Sequence, residues 1–332
     1  MMRNERVPLT SPAMLEPVAT ELVEVRGVFD PRTTLIKPSH FPSPFDAQSA
    51  TEYRAVPLIN GQPTGIKASF AEGAHIVQLE VFLPSGASFD AKAFTILRRR
   101  LGLDLDLSGY AALCQGDRVL SALPKAMRGA RPSSPWSLYE YLTIGTVLQN
   151  TNVSRTVQMA RALATHLGTA YQFPDGIVLS SFWQPQRAVD FGEQALRDAK
   201  LGYRAKTLVR VGSQFAVDPT LEEDLHRRAG DVDGLRTGLR SIYGVGPATT
   251  GYLMFDVFKA LDELSHLSPW EGKILGKLLF DDLDADPAET VRWCHDRWAP
   301  YAMLACHAVF ETVFWHRATG EGPAWLDGLI RL

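Results

Sequence analysis

Two glycines flank a valine between two predicted helices, at Gly244-Val245-Gly246. Glycine accepts the positive φ that a tight helix-to-helix hairpin requires, and Pro247 suits the first position of a helix, where no N–H is needed. The free N–H groups of such a helix N-terminus can bind a phosphate. Residues 239–253 therefore predict a helix-hairpin-helix that grips a nucleic-acid backbone without reading its sequence. An ordinary helix–helix turn is the alternative.

A serine and a glutamate stand three residues apart in the stretch Ser268-Pro269-Trp270-Glu271. Serine at the N-cap, proline at the first helical position and glutamate three residues after the cap form a capping box. In that arrangement the Glu271 carboxylate folds back onto its own backbone and does not easily serve a second role. The motif predicts that a helix begins at Pro269.

The three cysteines are Cys114, Cys294 and Cys306, and they are widely spaced. Zinc and iron–sulfur sites need closely spaced cysteine pairs. The sequence therefore predicts reduced, buried thiols and no metal site.

Composition indicates an ordinary soluble globular protein. The chain has 332 residues, of which 45% are hydrophobic and 21% charged, with a formal net charge of −3. This length suffices for two domains, and a nucleic-acid-binding protein of this charge must concentrate its cations on one face. Residues 1–20 lack the apolar segment of a signal peptide, which predicts cytoplasmic residence, nucleoid-associated if the source is bacterial.

The elements that would position these residues change in character along the chain. We expect a flexible lead over residues 1–20, an antiparallel β subdomain of four or five strands over 21–90, and a helical domain over 91–332. Asn60-Gly61 is a strong signal for a two-residue β-hairpin. The predicted fold class is mainly α (α+β). Helices are predicted at 91–101, 108–114, 136–148, 153–167, 188–199, 203–215, 231–242, 248–261, 269–279, 287–297 and 301–317, and a loop at 171–175.

Four stretches in register resemble the helix-hairpin-helix (HhH-GPD) DNA glycosylase superfamily, closest to its 8-oxoguanine and 3-methyladenine branches. They are residues 128–138, 146–151, 195–206 and 239–251. The resemblance implies an all-helical core behind an N-terminal sheet. It also implies a monomer that excises a modified base from double-stranded DNA by N-glycosidic hydrolysis, in base-excision repair. No cofactor is required, and the resemblance allows a monovalent cation at the hairpin's backbone carbonyls.

The resemblance also assigns DNA contacts to residues of this chain. Gln149, Asn150 and Thr151 would fill the gap left by an extruded base, and a polar helix end facing water is the alternative. Backbone contacts would come from Gly244, Val245, Gly246, Ala248, Thr249, Arg204 and Lys273. The cations available for phosphates are Arg131, Arg204, Lys206, Arg210, Lys273 and Lys277.

The chain departs from the family at the catalytic positions. Where the family has an aspartate about twenty residues past the hairpin, this chain has Ser268 or Pro269, and Ala248 replaces the lysine of members that cut the strand. The departure argues against a lyase activity by that route. Glu271 is the candidate catalytic carboxylate, as an alternative to its role as a cap, with Ser268 and Asp256 as further candidates. The base pocket would include Trp136, Tyr252, His266 and Trp270, for each of which core packing is the alternative.

Three functions remain open on the sequence. The first is a monofunctional DNA glycosylase with an altered carboxylate. The second is a catalytically silent DNA-binding or lesion-sensing protein, because the family's aspartate and lysine are absent. The third is glycosidic cleavage of a non-canonical nucleotide outside repair.

Overall fold

The computed structural model describes residues 11–71, 73–320 and 322–326. Its strands are β1 (Ala13–Glu24), β2 (Asp46–Gln48), β3 (Glu52–Ala55), β4 (Leu58–Ile59), β5 (Gln62–Pro63), β6 (Gly65–Phe70), β7 (Ile76–Pro84), β8 (Ala170–Gln172) and β9 (Val178–Ser180). Seven of them form one sheet in the order β2-β3-β6-β7-β1-β8-β9. The other two, β4 and β5, form the predicted hairpin, whose turn residues Asn60 and Gly61 both have positive φ.

The sheet is larger than the sequence indicated. Residues 13–20 were expected in a flexible lead, but they belong to β1, which pairs along most of its length with β7. Pro17 obscured this strand, and the ladder accommodates the proline at a register shift between Pro17 and Ala19. The predicted loop at Tyr171 is the short strand β8, which extends the sheet by pairing in parallel with β1. Residues 1–10 of the predicted lead lie outside the described residues.

Helices make up most of the remaining chain. They are α1 (Pro31–Leu35), α2 (Lys92–Arg100), α3 (Ser108–Gly116), α4 (Arg118–Ser121), α5 (Lys125–Arg128), α6 (Leu138–Leu148), α7 (Val153–His166), α8 (Pro185–Phe191), α9 (Glu193–Leu196), α10 (Arg204–Val217), α11 (Leu221–Arg227), α12 (Val232–Arg240), α13 (Pro247–Asp256), α14 (Pro269–Phe280), α15 (Pro287–Trp298) and α16 (Ala302–Thr319). A π-helical turn (Arg197–Leu201) follows α9, and a short 3₁₀ helix spans Ala324–Leu326. The fold class is therefore α+β.

Two predicted helices are interrupted by residues with positive φ. Gly192 has a φ of 83° and divides the predicted helix 188–199 into α8 and α9. Lys259 has a φ of 60°, and α13 ends at Asp256 instead of continuing to 261. Apolar periodicity continues across both points, so the pattern alone did not reveal either break.

Helix α13 lies between two hydrophobic clusters. Leu253 and Met254 pack into a cluster that runs from the sheet to α6, α7 and α10, whereas Phe255 packs into a second cluster built on α14, α15 and α16. Burial on both sides fixes the direction of α13 and thereby the place of its N-terminus. Among the residues that the structure describes, no helix combines the length and apolar character needed to cross a bilayer.

Candidate active site

The predicted hairpin is present between α12 and α13. Gly244 has a φ of 79°, which favours glycine. A Cβ at this position would also lie only 3.1 Å from Thr207 Cγ2, so there is little space for a side chain. Gly246, in contrast, is the N-cap of α13 with a φ of −92° and open space at its Cβ position. The backbone conformation therefore requires glycine at Gly244 but not at Gly246. Ala248 is exposed, Thr249 is half-buried and Val245 is buried.

A glutamine that the sequence did not single out holds the hairpin from α10. Gln214 Oε1 accepts a hydrogen bond from the Tyr243 N–H at 2.7 Å, and its Nε2 donates to the Ser241 carbonyl at 3.2 Å. Arg210 lies over the Tyr243 ring, 4.6 Å from its centroid, on the same helix. The hairpin is thus clamped on both sides of Ile242. The local sequence does not predict these hydrogen bonds, because Gln214 and the hairpin are almost thirty residues apart.

The predicted polar turn lies between α6 and α7. Asn150 is exposed in the left-handed region, with a φ of 46°, while Gln149 and Thr151 are half-buried. Arg204 was predicted to contact phosphate, but its guanidinium is buried and donates to the carbonyls of Gln149 and Asn150. Arg204 therefore holds the turn instead of facing solvent. The neighbouring Tyr203 is 55% exposed.

The prediction that Arg131 contacts phosphate is also wrong. The Arg131 side chain is completely buried and donates to four backbone carbonyls in two segments, those of Arg26 and Val28 after β1 and those of Gly102, at 3.2 Å, and Leu105, at 2.7 Å, after α2. Burial lowers the pKa of Arg131 to about 10. It links the segment after β1 to the loop between α2 and α3, and its burial keeps it from DNA. The exposed cations of the predicted set include Lys206, Arg210 and Lys273.

An open cleft lies where the N-termini of α13 and α14 converge. Five of the predicted site residues line it together, namely Ala248, Tyr252, His266, Ser268 and Glu271. Met303 and Phe310 of α16 also line it. The structure therefore brings the hairpin helix and the candidate carboxylate to one concave surface.

Glu271 is buried at this cleft and both of its oxygens are engaged. Oε2 accepts from the Ser268 N–H at 2.7 Å, as a capping box requires, and Oε1 accepts from the Tyr252 hydroxyl at 3.1 Å. The Ser268 hydroxyl faces the backbone of α14, but makes no hydrogen bond of ordinary geometry within the described residues. Partial burial and the neighbouring Glu271 raise the pKa of Tyr252, so its phenol stays protonated and donates.

Two of the predicted pocket aromatics do not line the cleft. Trp136 is buried with Phe182, at a ring separation of 5.0 Å, in the cluster against the sheet. Trp270 packs on Phe310 at 5.5 Å, and so supports the cleft from behind. Both residues serve the core-packing role that was their alternative.

Asp256 also lies outside the cleft lining, one helical turn beyond Tyr252. Its carboxylate pairs with Lys37 Nζ at 2.7 Å and accepts a hydrogen bond from the Tyr141 hydroxyl. Burial by itself raises the pKa of Asp256, but Lys37 and His307 more than offset that effect and the pKa lies below its usual value. Nearby, burial lowers the pKa of Lys259 to about 7, while its amine donates to the Arg100 and Asp256 carbonyls.

Solved structures with the same architecture were found, although no protein-family model and no curated protein sequence matches the chain. A 3-methyladenine DNA glycosylase from Archaeoglobus fulgidus superposes with a TM-score of 0.70 at 17% identity, over 90% of this chain and 98% of that one. MBOgg1 in complex with a low-affinity DNA ligand gives 0.71 at 17% identity, over 92% and 99%. An 8-oxoguanine glycosylase/lyase of Clostridium acetobutylicum, bound to double-stranded DNA, gives 0.67 at 12% identity, over 94% and 100%.

These identities are too low to transfer residue roles, but the coverage is nearly complete in both directions. The resemblance that four short stretches indicated is confirmed at the level of the fold. The chain has the fold of the 3-methyladenine and 8-oxoguanine DNA glycosylases.

Proposed function

We propose that this protein is a monofunctional DNA glycosylase of the HhH-GPD class, with a helical core carrying the hairpin, that hydrolyses the N-glycosidic bond of a modified base in duplex DNA. One observation carries the proposal. The exposed N-terminus of α13 and the Glu271 carboxylate share a single cleft on a glycosylase fold. A phosphate held by the first N–H groups of α13 would bring an extruded nucleotide to that carboxylate.

Glu271 supplies the negative charge in this proposal. Cleavage of an N-glycosidic bond develops positive charge on the sugar, and a fixed carboxylate at the first turn of α14 would stabilise that charge and orient a water molecule. The Tyr252 hydroxyl and the Ser268 N–H hold the carboxylate in place. The carboxylate thus acts as a capping group and faces the cleft at the same time.

The polar turn fills the gap left by the extruded base. Asn150 is exposed at its tip, and Arg204 fixes the turn from beneath through the carbonyls of Gln149 and Asn150. The exposed ring of Tyr203 stands beside it. An exposed aromatic can stack on an unpaired base, which is worth about 1–3 kcal/mol.

Strand cleavage through an amine is not part of the proposal. Ala248 replaces the nucleophile, Lys37 is paired with Asp256, and Lys259 donates to two backbone carbonyls. Borohydride reduction during turnover should therefore trap no covalent protein–DNA adduct. A trapped adduct that is lost in Lys37→Met would contradict this and make Lys37 a nucleophile.

A monovalent cation at the hairpin remains a further part of the proposal. The Ser241 and Ile242 carbonyls already accept hydrogen bonds, from Gln214 and from the Val245 N–H. A carbonyl oxygen has two lone pairs, so these atoms retain capacity for a cation. DNA affinity should be higher in potassium chloride than in tetramethylammonium chloride at equal ionic strength. Equal affinity in the two salts would remove the cation from the proposal.

The proposal is tested by incubating the protein with duplexes that carry oxidised, deaminated or alkylated bases, followed by alkali. Alkali-dependent strand scission and release of the free base are the expected results. Absence of scission across the whole set, with retained salt-sensitive binding to duplex DNA, would contradict glycosylase activity.

That second outcome corresponds to a different function, a catalytically silent DNA-binding or lesion-sensing protein. One observation favours it, because both Glu271 oxygens already accept hydrogen bonds within the protein. The two functions share the hairpin and the turn and differ only in base release.

A further inference from the structure

The loop between α13 and α14 brings a second carboxylate to the cleft. The cleft lining follows this loop from Glu263 to Ser268 without a gap, and Glu271 lies on the helix that comes next. The Glu263 side chain is 14% exposed, so most of it is buried. The cleft is therefore bordered by two carboxylates, of which the proposed function uses only Glu271.

This loop is fixed by contacts that do not involve the Glu263 side chain. The Ala302 N–H donates to Asp262 Oδ1 at 2.8 Å, and His295 Nε2 lies 2.9 Å from the Leu264 carbonyl oxygen. Residues of α15 and α16 thus hold the chain on both sides of Glu263. A carboxylate on a loop that is held in this way is preorganised for chemistry.

Arg236 of α12 holds one oxygen of Glu263 and leaves the other free. Its guanidinium donates to Glu263 Oε1 at 2.5 Å and, through its other terminal nitrogen, to Asp233 on the same helix. Glu263 Oε2 accepts no hydrogen bond within the described residues, and it is not sealed inside the fold as the unpaired Glu21 Oε2 is. One oxygen is therefore anchored, while the other can bind water.

The two carboxylates differ in their capacity to take up a proton. Both Glu271 oxygens accept hydrogen bonds, from the Ser268 N–H and the Tyr252 hydroxyl, and such bonds weaken when the carboxylate loses its charge. Proton uptake by Glu271 would therefore loosen the cap of α14. Proton uptake at Glu263 Oε2 breaks no hydrogen bond among the described residues, and Arg236 continues to hold Oε1.

We propose that the two carboxylates divide the reaction, with Glu271 stabilising the charge on the sugar and Glu263 accepting a proton from the attacking water. The C1′–N bond breaks and its electron pair leaves with the base, which takes a proton from solvent unless it was cationic. The water oxygen bonds to C1′, and the proton that it loses passes to Glu263 Oε2 and then to solvent. The inference rests on the proposed function, because it assigns one step of base release.

The test measures single-turnover base release from a lesion duplex that the wild type processes. Glu263→Gln keeps an oxygen for Arg236 but cannot take up the proton, so release should slow by about 100-fold, at the lower end of the range for general base catalysis. Asp233→Asn is the matched control, because it removes the other carboxylate from the same guanidinium and lies outside the cleft lining. Its rate should change by less than about threefold.

Arg236→Met separates the chemistry from a purely structural role. It breaks the ion pair but leaves the Glu263 carboxylate at the cleft, so release should slow by less than about fivefold. In Glu263→Ala, added formate is a small carboxylate that can replace the lost one. It should raise the rate by about tenfold over chloride at equal ionic strength.

Three results would overturn the role of Glu263 while base release upholds the proposed function. They are a Glu263→Gln rate within about threefold of the wild type, equal losses in Glu263→Gln and Arg236→Met, and equal Glu263→Ala rates in formate and chloride. No release of base from any lesion duplex by the wild type would overturn the proposed function and this step with it.

Discussion

Two capping boxes with the same motif occupy very different surroundings in this molecule. Ser137 and Glu140 cap α6, and Ser268 and Glu271 cap α14. Glu140 is completely buried, and its two oxygens accept from the N–H groups of Ser137 at 2.6 Å and Leu58 at 2.7 Å. Glu271 accepts from one backbone N–H and from the phenol of Tyr252, and it lines an open cleft.

The difference lies in what covers each carboxylate. Leu58 of β4 supplies a second backbone donor to Glu140, so Glu140 links the β4–β5 hairpin to α6. The second donor to Glu271 is the phenol of Tyr252, a residue that is 41% exposed. The same motif therefore holds a carboxylate between two backbone segments in one place and a carboxylate at the wall of a cleft in the other.

The largest expected difference in stability is between Glu140→Gln and Glu271→Gln. An amide oxygen can satisfy one of the two backbone donors at Glu140 and leaves the other buried and unpaired, which costs about 1–3 kcal/mol. At Glu271 the freed groups can reach water in the cleft, so we expect a loss below about 1 kcal/mol. Urea unfolding of both variants measures the difference. Equal losses would mean that the two boxes are equally structural.

The second expected difference between the two capping boxes is in the pH dependence of stability. Burial raises the pKa of Glu140 to about 7, despite opposing effects of Arg100 and of the Ser137 and Leu58 donors. The folded pKa lies above the ordinary value of 4.5. Between those two values the folded state binds more protons than the unfolded state, so this group's contribution to stability falls as pH rises. Glu140→Gln should remove that part of the slope between pH 4.5 and 7. An unchanged slope in urea unfolding would show that Glu140 is ionised throughout.

Removing the phenol above Glu271 should affect catalysis more than folding. In Tyr252→Phe the carboxylate loses one donor and its orientation loosens, and we expect excision to slow by about tenfold. The free energy of unfolding should change by less than about 1 kcal/mol, because the hydroxyl is at the cleft. Single-turnover base release and urea unfolding test this on the same preparation. A loss of stability without a loss of rate would show that Tyr252 is only a packing residue.

The smallest expected difference in stability is between Ser137→Ala and Ser268→Ala. Ser137 Oγ accepts from the Glu140 N–H at 3.2 Å, so Ser137→Ala should cost about 1 kcal/mol. Ser268→Ala should cost less than about 0.5 kcal/mol, since within the described residues the Ser268 hydroxyl faces the backbone of α14 without a hydrogen bond of ordinary geometry. A Ser268→Ala cost equal to that of Ser137→Ala would show that the hydroxyl caps α14 after all. Paired melting curves measure both variants.

Features encoded in neighbouring residues were predicted from the sequence. The Gly244 hairpin, the Asn60-Gly61 turn and the cap at Ser268 each follow from backbone rules that act over a few residues. The position of Glu271 at the start of α14 follows in the same way.

Features that depend on distant segments were not predicted. Lys37 reaches Asp256 across 219 positions of sequence, and Gln214 reaches the hairpin across almost thirty. Arg131 was expected at the surface, because a cation is usually solvated, yet backbone carbonyls of two distant segments accept its hydrogen bonds in the interior. Such contacts exist only after the chain has folded, and no local pattern contains them.

The central claim is that Glu271 performs chemistry as well as capping a helix. The most direct measurement is base release and DNA binding by Glu271→Gln on one lesion duplex that the wild type processes, with Glu140→Gln as the matched control. We predict that Glu271→Gln binds within about threefold of the wild type but releases base at least 100-fold more slowly, as for loss of a group that stabilises developing charge. Glu140→Gln should retain the wild-type rate per folded molecule. Release by Glu271→Gln within a few-fold of the wild type would contradict the claim and leave Glu271 as a cap alone.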